Sequence, residues 1–74
     1  MEEKFIALFK ETLEAEDKEI NLTDEFRQYE EWDSLAYLSV IAMIDEEFEV
    51  QIEGKDFKEL KTVGDLIQAI KDRQ

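Results

Sequence analysis

EWDSLAYLSVIAMIDEEF, residues 31–48, decides how this chain is read. After Glu31 and Trp32 it sets an aspartate and a serine, runs through an apolar pattern, and closes on three acids and a phenylalanine. From Ser34 to Glu47 or Phe48 the pattern keeps the 3.6-residue period of an α-helix. Tyr37, Val40, Ile41, Ile44 and Phe48 fall on one stripe, the spacing of a surface that faces a core. Leu35, Leu38 and Ala42 form a second stripe roughly 135° away. Asp45, Glu46 and Glu49 continue that second stripe toward the carboxyl end. One helix therefore buries one face and carries another on which apolar residues grade into acids.

The segments on either side are built to cover the first stripe. Phe5, Ile6, Phe9 and Leu13 predict a first helix over residues 2–15. Residues 16–32 read as a long polar loop pinned to the core by Ile20, Leu22, Phe26 and Tyr29. A loop of that length in so small a chain is unusual unless it serves a function. After the central helix, Glu49 to Glu53 alternates briefly until Gly54 breaks it. Asp56 and Glu59 have the spacing of a capping box opening a short third helix, and Thr62 and Asp65 repeat it for a fourth. Val63, Leu66, Ile67 and Ile70 give that last helix its apolar face, and Lys71 and Arg73 suit its carboxyl-end dipole. The expected fold is all-α, a small four-helix bundle with a long loop between helices 1 and 2 and a short third helix. Helices 2 and 4 supply much of its core.

Composition narrows the chemistry. At 74 residues the chain is expected to form one domain, residues 1–74, near the lower limit for a self-sufficient core. It has no cysteine and no histidine, which removes disulfides, thiolate metal sites and the usual general base of a nucleophilic triad. No catalytic residue is assigned, and a serine with only carboxylates or lysine for a base makes a poor enzyme. No EF-hand loop is present, so no metal site is assigned. The acidic amino terminus lacks a long apolar run, which points away from membrane and toward the cytoplasm.

Twenty-one acids against nine bases give a net charge of −12. That balance disfavours nucleic acid and anionic membranes and favours protein partners with basic patches. It also strains the compact state by self-repulsion, which added salt relieves. No basic residue lies between Arg27 and Lys55, so the negative field is concentrated around the central helix.

Ser34 has two compatible readings. Serine and aspartate both cap helices, accepting from the free N–H groups of the first turn. A hydroxyl at a helix amino terminus is also well placed to bear a phosphodiester, which the unpaired N–H groups and the dipole favour. Asp33 opposes that charge, and so suggests use by a modifying enzyme. Trp32 reads mainly as an aromatic closing the loop onto the core. Tyr37 and Met43 read as packing.

Across nearly its whole length the sequence resembles the acyl carrier proteins and related peptidyl carrier domains. Asp33-Ser34-Leu35 looks like the family's attachment motif. Asp45 to Phe48, followed by Val50 and Ile52, is similar to the acidic end of its second helix. Thr62 to Asp65, with Leu66 and Ile67, resembles the opening of its last helix, and Phe26 resembles an aromatic anchor of its first loop. The resemblance implies a non-enzymatic, monomeric acyl carrier. A phosphopantetheinyl transferase would move 4'-phosphopantetheine from coenzyme A onto Ser34, with Asp33 and Leu35 beside it. Acyl-transferring, condensing or ligating enzymes would then dock on Leu35, Leu38, Ala42, Asp45, Glu46 and Glu47. Glu31 and Trp32 stand where fatty-acid carriers usually have a glycine, Ala36 and Ser39 replace common acids, and Glu49 replaces another common glycine. These departures point toward a specialised lipid, polyketide or related pathway. The alternative from another class is an unmodified acidic interaction module that holds one protein permanently.

Overall fold

The computed structural model describes residues 1–74. Its α-helices are α1 (Glu2–Thr12), α2 (Ser34–Phe48), α3 (Gly54–Phe57) and α4 (Val63–Arg73). A 3-10 turn, Phe26–Gln28, is the one regular element in the long connection between α1 and α2. No strand forms; a single antiparallel bridge joins Glu25 to Thr62. The expected all-α architecture, with its long first loop and short third helix, is what the chain adopts.

α1 ends three residues before the predicted limit, because the chain reverses there. Ala15 N–H donates to Lys10 O at 2.9 Å and Glu14 N–H to Glu11 O at 3.0 Å. This is the Schellman pattern, and its left-handed position is held by Glu14 at φ 57°. Leu13 stays buried although it lies beyond the helix. α2 stops in a related way, with Glu49 at φ 55° and its N–H donating to Asp45 O. Both sites favour glycine, since a Cβ in the left-handed region costs about 1 kcal/mol.

Nineteen residues form one core cluster, and α2 and α4 give ten of them, five each. Val40, Ile44 and Phe48 are buried as the periodicity predicts, while Tyr37 and Ile41 are half-buried. Ala36 and Met43 are buried as well, because that flank of α2 packs along the seam with α1. From α1, Phe5 and Phe9 stack at 5.4 Å and Phe5 reaches Phe48 at 6.1 Å. Val50 and Ile52, in the segment between α2 and α3, are buried.

The expected capping box at Asp56 is not made. α3 begins three residues earlier, at Gly54 with Glu53 as its uncapped N-cap, and Asp56 lies inside the turn, 3.3 Å from Arg73 Nη2. Burying Phe57 against Phe26 and Tyr37 requires the turn to be complete by that residue. The box at Thr62 does form. Asp65 N–H donates to Thr62 Oγ1 at 3.1 Å, and Asp65 Oδ2 accepts from the N–H groups of Thr62 and Lys61 at 3.0 and 2.9 Å.

Two further donors of the first turn of α4 are taken by the long loop. Val63 N–H donates to Asp24 O and Gly64 N–H to Leu22 O at 2.8 Å. A Cβ at position 64 would sit 3.1 Å from that same Leu22 oxygen, so glycine permits the approach. Leu22 thus anchors the loop by its carbonyl, and its side chain, expected in the core, is exposed. Ile20 and Phe26 are buried and Tyr29 is half-buried, as predicted. Tyr29 Oη–H donates to Asp24 Oδ2 at 2.7 Å. Burial and that carboxylate together push the Tyr29 hydroxyl's pKa up, while the Tyr29 and Asn21 donors hold Asp24 below the ordinary carboxylate range.

The Lys61 and Thr62 amides likewise hold the Asp65 carboxyl below its ordinary value. A depressed carboxylate stabilises the fold above its unfolded pKa, and that contribution is lost as pH falls through the folded pKa. Asp65→Ala is therefore expected to cost about 1–2 kcal/mol at neutral pH, with the gap to wild type closing as the medium is acidified below the ordinary carboxylate range. Urea unfolding at a series of pH values measures it; a gap that stays constant would mean the cap is not the source.

Candidate attachment site and docking face

The amino terminus of α2 is built by Asp33. Its extended backbone, φ −152° and ψ −172°, aims Oδ1 at Ala36 N–H, 2.7 Å away, and its carbonyl accepts from Tyr37 N–H at 2.9 Å. Asp33, not Ser34, is thus the cap. Ser34 becomes the first helical residue. Its side chain makes no hydrogen bond and the residue is exposed. The N–H groups of Ser34 and Leu35 have no partner in the chain. This helix end is open where the matching end of α4 is closed by the loop.

A phosphate fits that arrangement. An oxygen substituent on Ser34 would lie beside two free amides and the positive end of a fifteen-residue helix. The chain's other serine, Ser39, is half-buried along the α1–α2 seam, so of the two serines Ser34 is the exposed one.

Trp32 packs as expected. Its ring meets Phe26 edge-on at 4.9 Å and stacks on Phe57 at 6.1 Å, with only 5° between the planes. Tyr37 meets the same Phe57 at 5.0 Å. Arg27, which carried no assigned role in the sequence, closes this cluster from outside. Its guanidinium donates to the carbonyls of Leu60 and Phe57, the latter at 2.9 Å, and lies 4.8 Å from the Phe26 ring. Those bonds join residues 33 and 30 positions apart, which no local pattern could signal.

Beyond Ser34 the second stripe of α2 is uncovered. Leu35 is 72% and Leu38 61% exposed, the two most exposed large apolar side chains. Ala42 is exposed beside them, Asp45 and Glu46 continue the same side of the helix, and Glu47, also exposed, lies roughly 145° round, toward the seam with α1. No basic residue lies in the last turn, so these acids face the negative end of the dipole without compensation. Leu35, Leu38, Ala42, Asp45 and Glu46 thus share one exposed side of the helix that begins at Ser34. No helix of the chain is long and apolar enough to cross a membrane.

Comparison with known proteins agrees with the geometry. Residues 3–70 match the family model described as a phosphopantetheine attachment site. The chain is 32% identical to an acyl carrier protein of Chlamydia caviae over all 74 residues, covering 96% of that protein. It is 31% identical to an acyl carrier protein of Chlamydia felis, again over its whole length and 95% of the relative's.

If Asp33 acts as the cap, Asp33→Ala should lower stability by about 1 kcal/mol, while Asp33→Asn, which keeps an accepting oxygen, should retain most of it. Equilibrium urea unfolding of the unmodified chain separates them. Equal stability of all three would return Asp33 to a role in modification alone.

Proposed function

The chain belongs to the acyl carrier proteins, and on that premise we propose that Ser34 is its attachment residue and the uncovered face of α2 its docking surface. Members of this family are carriers and not enzymes, and their prosthetic group is a covalently attached 4'-phosphopantetheine. When attached, that group supplies the thiol that this cysteine-free polypeptide lacks. The observation carrying the reading is the exposed Ser34 hydroxyl at an open helix end, contiguous with exposed Leu35 and Leu38.

Each residue then has a part. Asp33 holds the first turn so that Ser34 points outward, and the free amides of Ser34 and Leu35 receive the phosphodiester oxygens. In the transfer the Ser34 oxygen bonds to the phosphorus of the coenzyme A pantetheine phosphate. The pyrophosphate P–O bond breaks, the adenosine bisphosphate leaves, and the serine proton passes to the transferase. Leu35, Leu38 and Ala42 give enzymes a small apolar contact, while Asp45, Glu46 and Glu47 draw their basic patches. Charge of this kind raises the encounter rate, and a small contact keeps the complex brief, which suits a monomeric shuttle visiting several enzymes. The departures at Glu31, Trp32, Ala36, Ser39 and Glu49 support service in a specialised lipid, polyketide or related cytoplasmic pathway.

Incubation with coenzyme A, magnesium and a broad-specificity phosphopantetheinyl transferase should add the mass of one phosphopantetheine. Ser34→Ala should abolish the gain with its circular dichroism spectrum unchanged. A gain that survives the substitution, or none with several transferases, contradicts the assignment and favours a permanent, unmodified interaction module.

Reversing Glu46 and Glu47 to lysine should slow turnover by a partner enzyme several-fold at low ionic strength and much less near 0.5 M salt, where the Debye length falls to roughly 4 Å. Equal loss at every ionic strength would place the effect in shape and not in charge.

A further inference from the structure

α1 and α2 lie antiparallel without closing fully on each other. Phe5 meets Phe48 at one end of the seam, at 6.1 Å, and Leu13 and Ala36 line a small depression at the other. Between these ends is a groove of about 400 Å³. Leu8 of α1 and Ala42 and Met43 of α2 give it an apolar lining, with Met43 buried and Leu8 half-buried. Thr12 and Ser39, both half-buried, add two hydroxyls. The charged residues of the groove are Glu11 from α1 and Glu46 and Glu47 from α2, all exposed.

The placement of charge sets this groove apart. No lysine or arginine lines it, nor the depression at Leu13 and Ala36, whose charged residues are Glu14, Glu31 and Asp33. The depressions around α3 and α4 differ, since each includes Arg27, Lys58, Lys61 or Arg73. Lys4, one turn before Leu8 on α1, lies over the Phe48 ring at 5.3 Å. The three acids are also poorly placed for their own helices. Glu11 is in the last turn of α1 and Glu46 and Glu47 are in the last turn of α2, where the dipole favours bases. No three acids of the chain gather as a metal-ion site. A second copy of the chain, with its own net charge of −12, would be repelled. What complements an apolar cleft with an acidic rim is a cation on an apolar stem, carried by another protein.

We propose that this groove is a docking site of its own, which receives an arginine from an amphipathic helix of a partner protein. The inference rests on the reading of α2 as the docking helix, and it adds α1 to that surface. The arginine stem is apolar and its head cationic, so the stem lies along Leu8, Ala42 and Met43 while the guanidinium meets the rim. Five donors in a planar fork suit a site with acceptors on two helices, the carboxylates of Glu11, Glu46 and Glu47 and the hydroxyls of Thr12 and Ser39. The helix bearing the arginine lays its apolar side into the groove, beside the Leu35–Leu38 face that Ala42 borders. Helices with an acidic border are turned away by the same rim.

Two synthetic peptides of identical composition, built from leucine, alanine and arginine, test this. One orders them as an amphipathic helix with arginines bordering the leucines, and the other scrambles the order at the same charge. Each is titrated into the isotope-labelled full chain and followed by backbone amide NMR. The ordered peptide should bind about tenfold more tightly and shift Leu8, Glu11, Met43 and Glu47 most. Glu11→Lys should remove most of that excess and Glu11→Gln part of it. Glu11 is exposed and a lysine suits the last turn of a helix, so the variant keeps its fold. Glu59→Lys, the same change of charge beside α4, should weaken both peptides alike. Equal affinity of the two peptides, or equal effects of Glu11→Lys and Glu59→Lys, would mean general attraction to an acidic surface and would overturn the site. Binding by neither peptide would overturn it too. Shifts confined to Leu35, Leu38 and Ala42 would refute the groove and leave the outer face of α2 as the docking surface. The docking reading itself fails on a different readout, partner turnover that ignores reversal of Glu46 and Glu47, and this inference then falls with it.

Discussion

Four aromatic rings hold this molecule's working end together. Between Thr12 and Ser34 the chain makes only one short 3-10 turn, so its backbone offers few internal hydrogen bonds to fix it. Side chains must do so, and Phe26, Trp32, Tyr37 and Phe57 meet at 4.9 to 6.1 Å. They come from the loop, from the residue before the cap, from α2 and from α3, and they join at the start of α2. Aromatic pairs of this geometry each add about 0.5–1.5 kcal/mol beyond the area they bury. Arg27 ties the same cluster to the carbonyls that end α3. Loosen this knot and the loop, the short helix and the orientation of Ser34 all lose their reference.

Several features cost stability, and they are spread along α2, from Leu35 near its start to Glu49 just past its carboxyl end. Asp45, Glu46 and Glu47 sit where a helix prefers bases. Glu49 occupies a left-handed conformation that a glycine would adopt without strain. Leu35 and Leu38 stand in water. Each is a modest penalty, and each makes sense if enzymes repeatedly meet this surface. The closed amino terminus of α4 is the counterexample within the same chain: its donors are taken by Thr62, Leu22 and Asp24, and it serves structure alone.

Periodicity made the larger elements legible. The faces of α2 and α4, the Thr62 box and the exposed Leu35–Leu38 stripe all follow from local spacing, because their apolar residues recur in step with the helix. What escaped was decided by distant partners or by the backbone. α1 ends early because Glu14 accepts a left-handed turn, which favours glycine and so left no cue. Asp56 imitates a cap, yet the burial of Phe57 sets where α3 lies. Ala36 and Met43 are buried by the seam with α1, which the pattern of α2 alone does not contain. The proposed attachment residue, Ser34, was read from its motif. The division of labour in which Asp33 caps and Ser34 stays free needed hydrogen-bond geometry, and the Arg27 clamp needed the tertiary fold.

The central claim is that one hydroxyl, at the open end of α2, is the point where this chain is modified in its own cell. Tandem mass spectrometry of peptides from the protein isolated from its native source tests it most directly, because fragment ions distinguish Ser34 from Ser39. The account predicts a phosphopantetheine on Ser34 and an unmodified Ser39. A population carrying the group on Ser39, or carrying none under conditions in which the cell's other carriers are loaded, would contradict it.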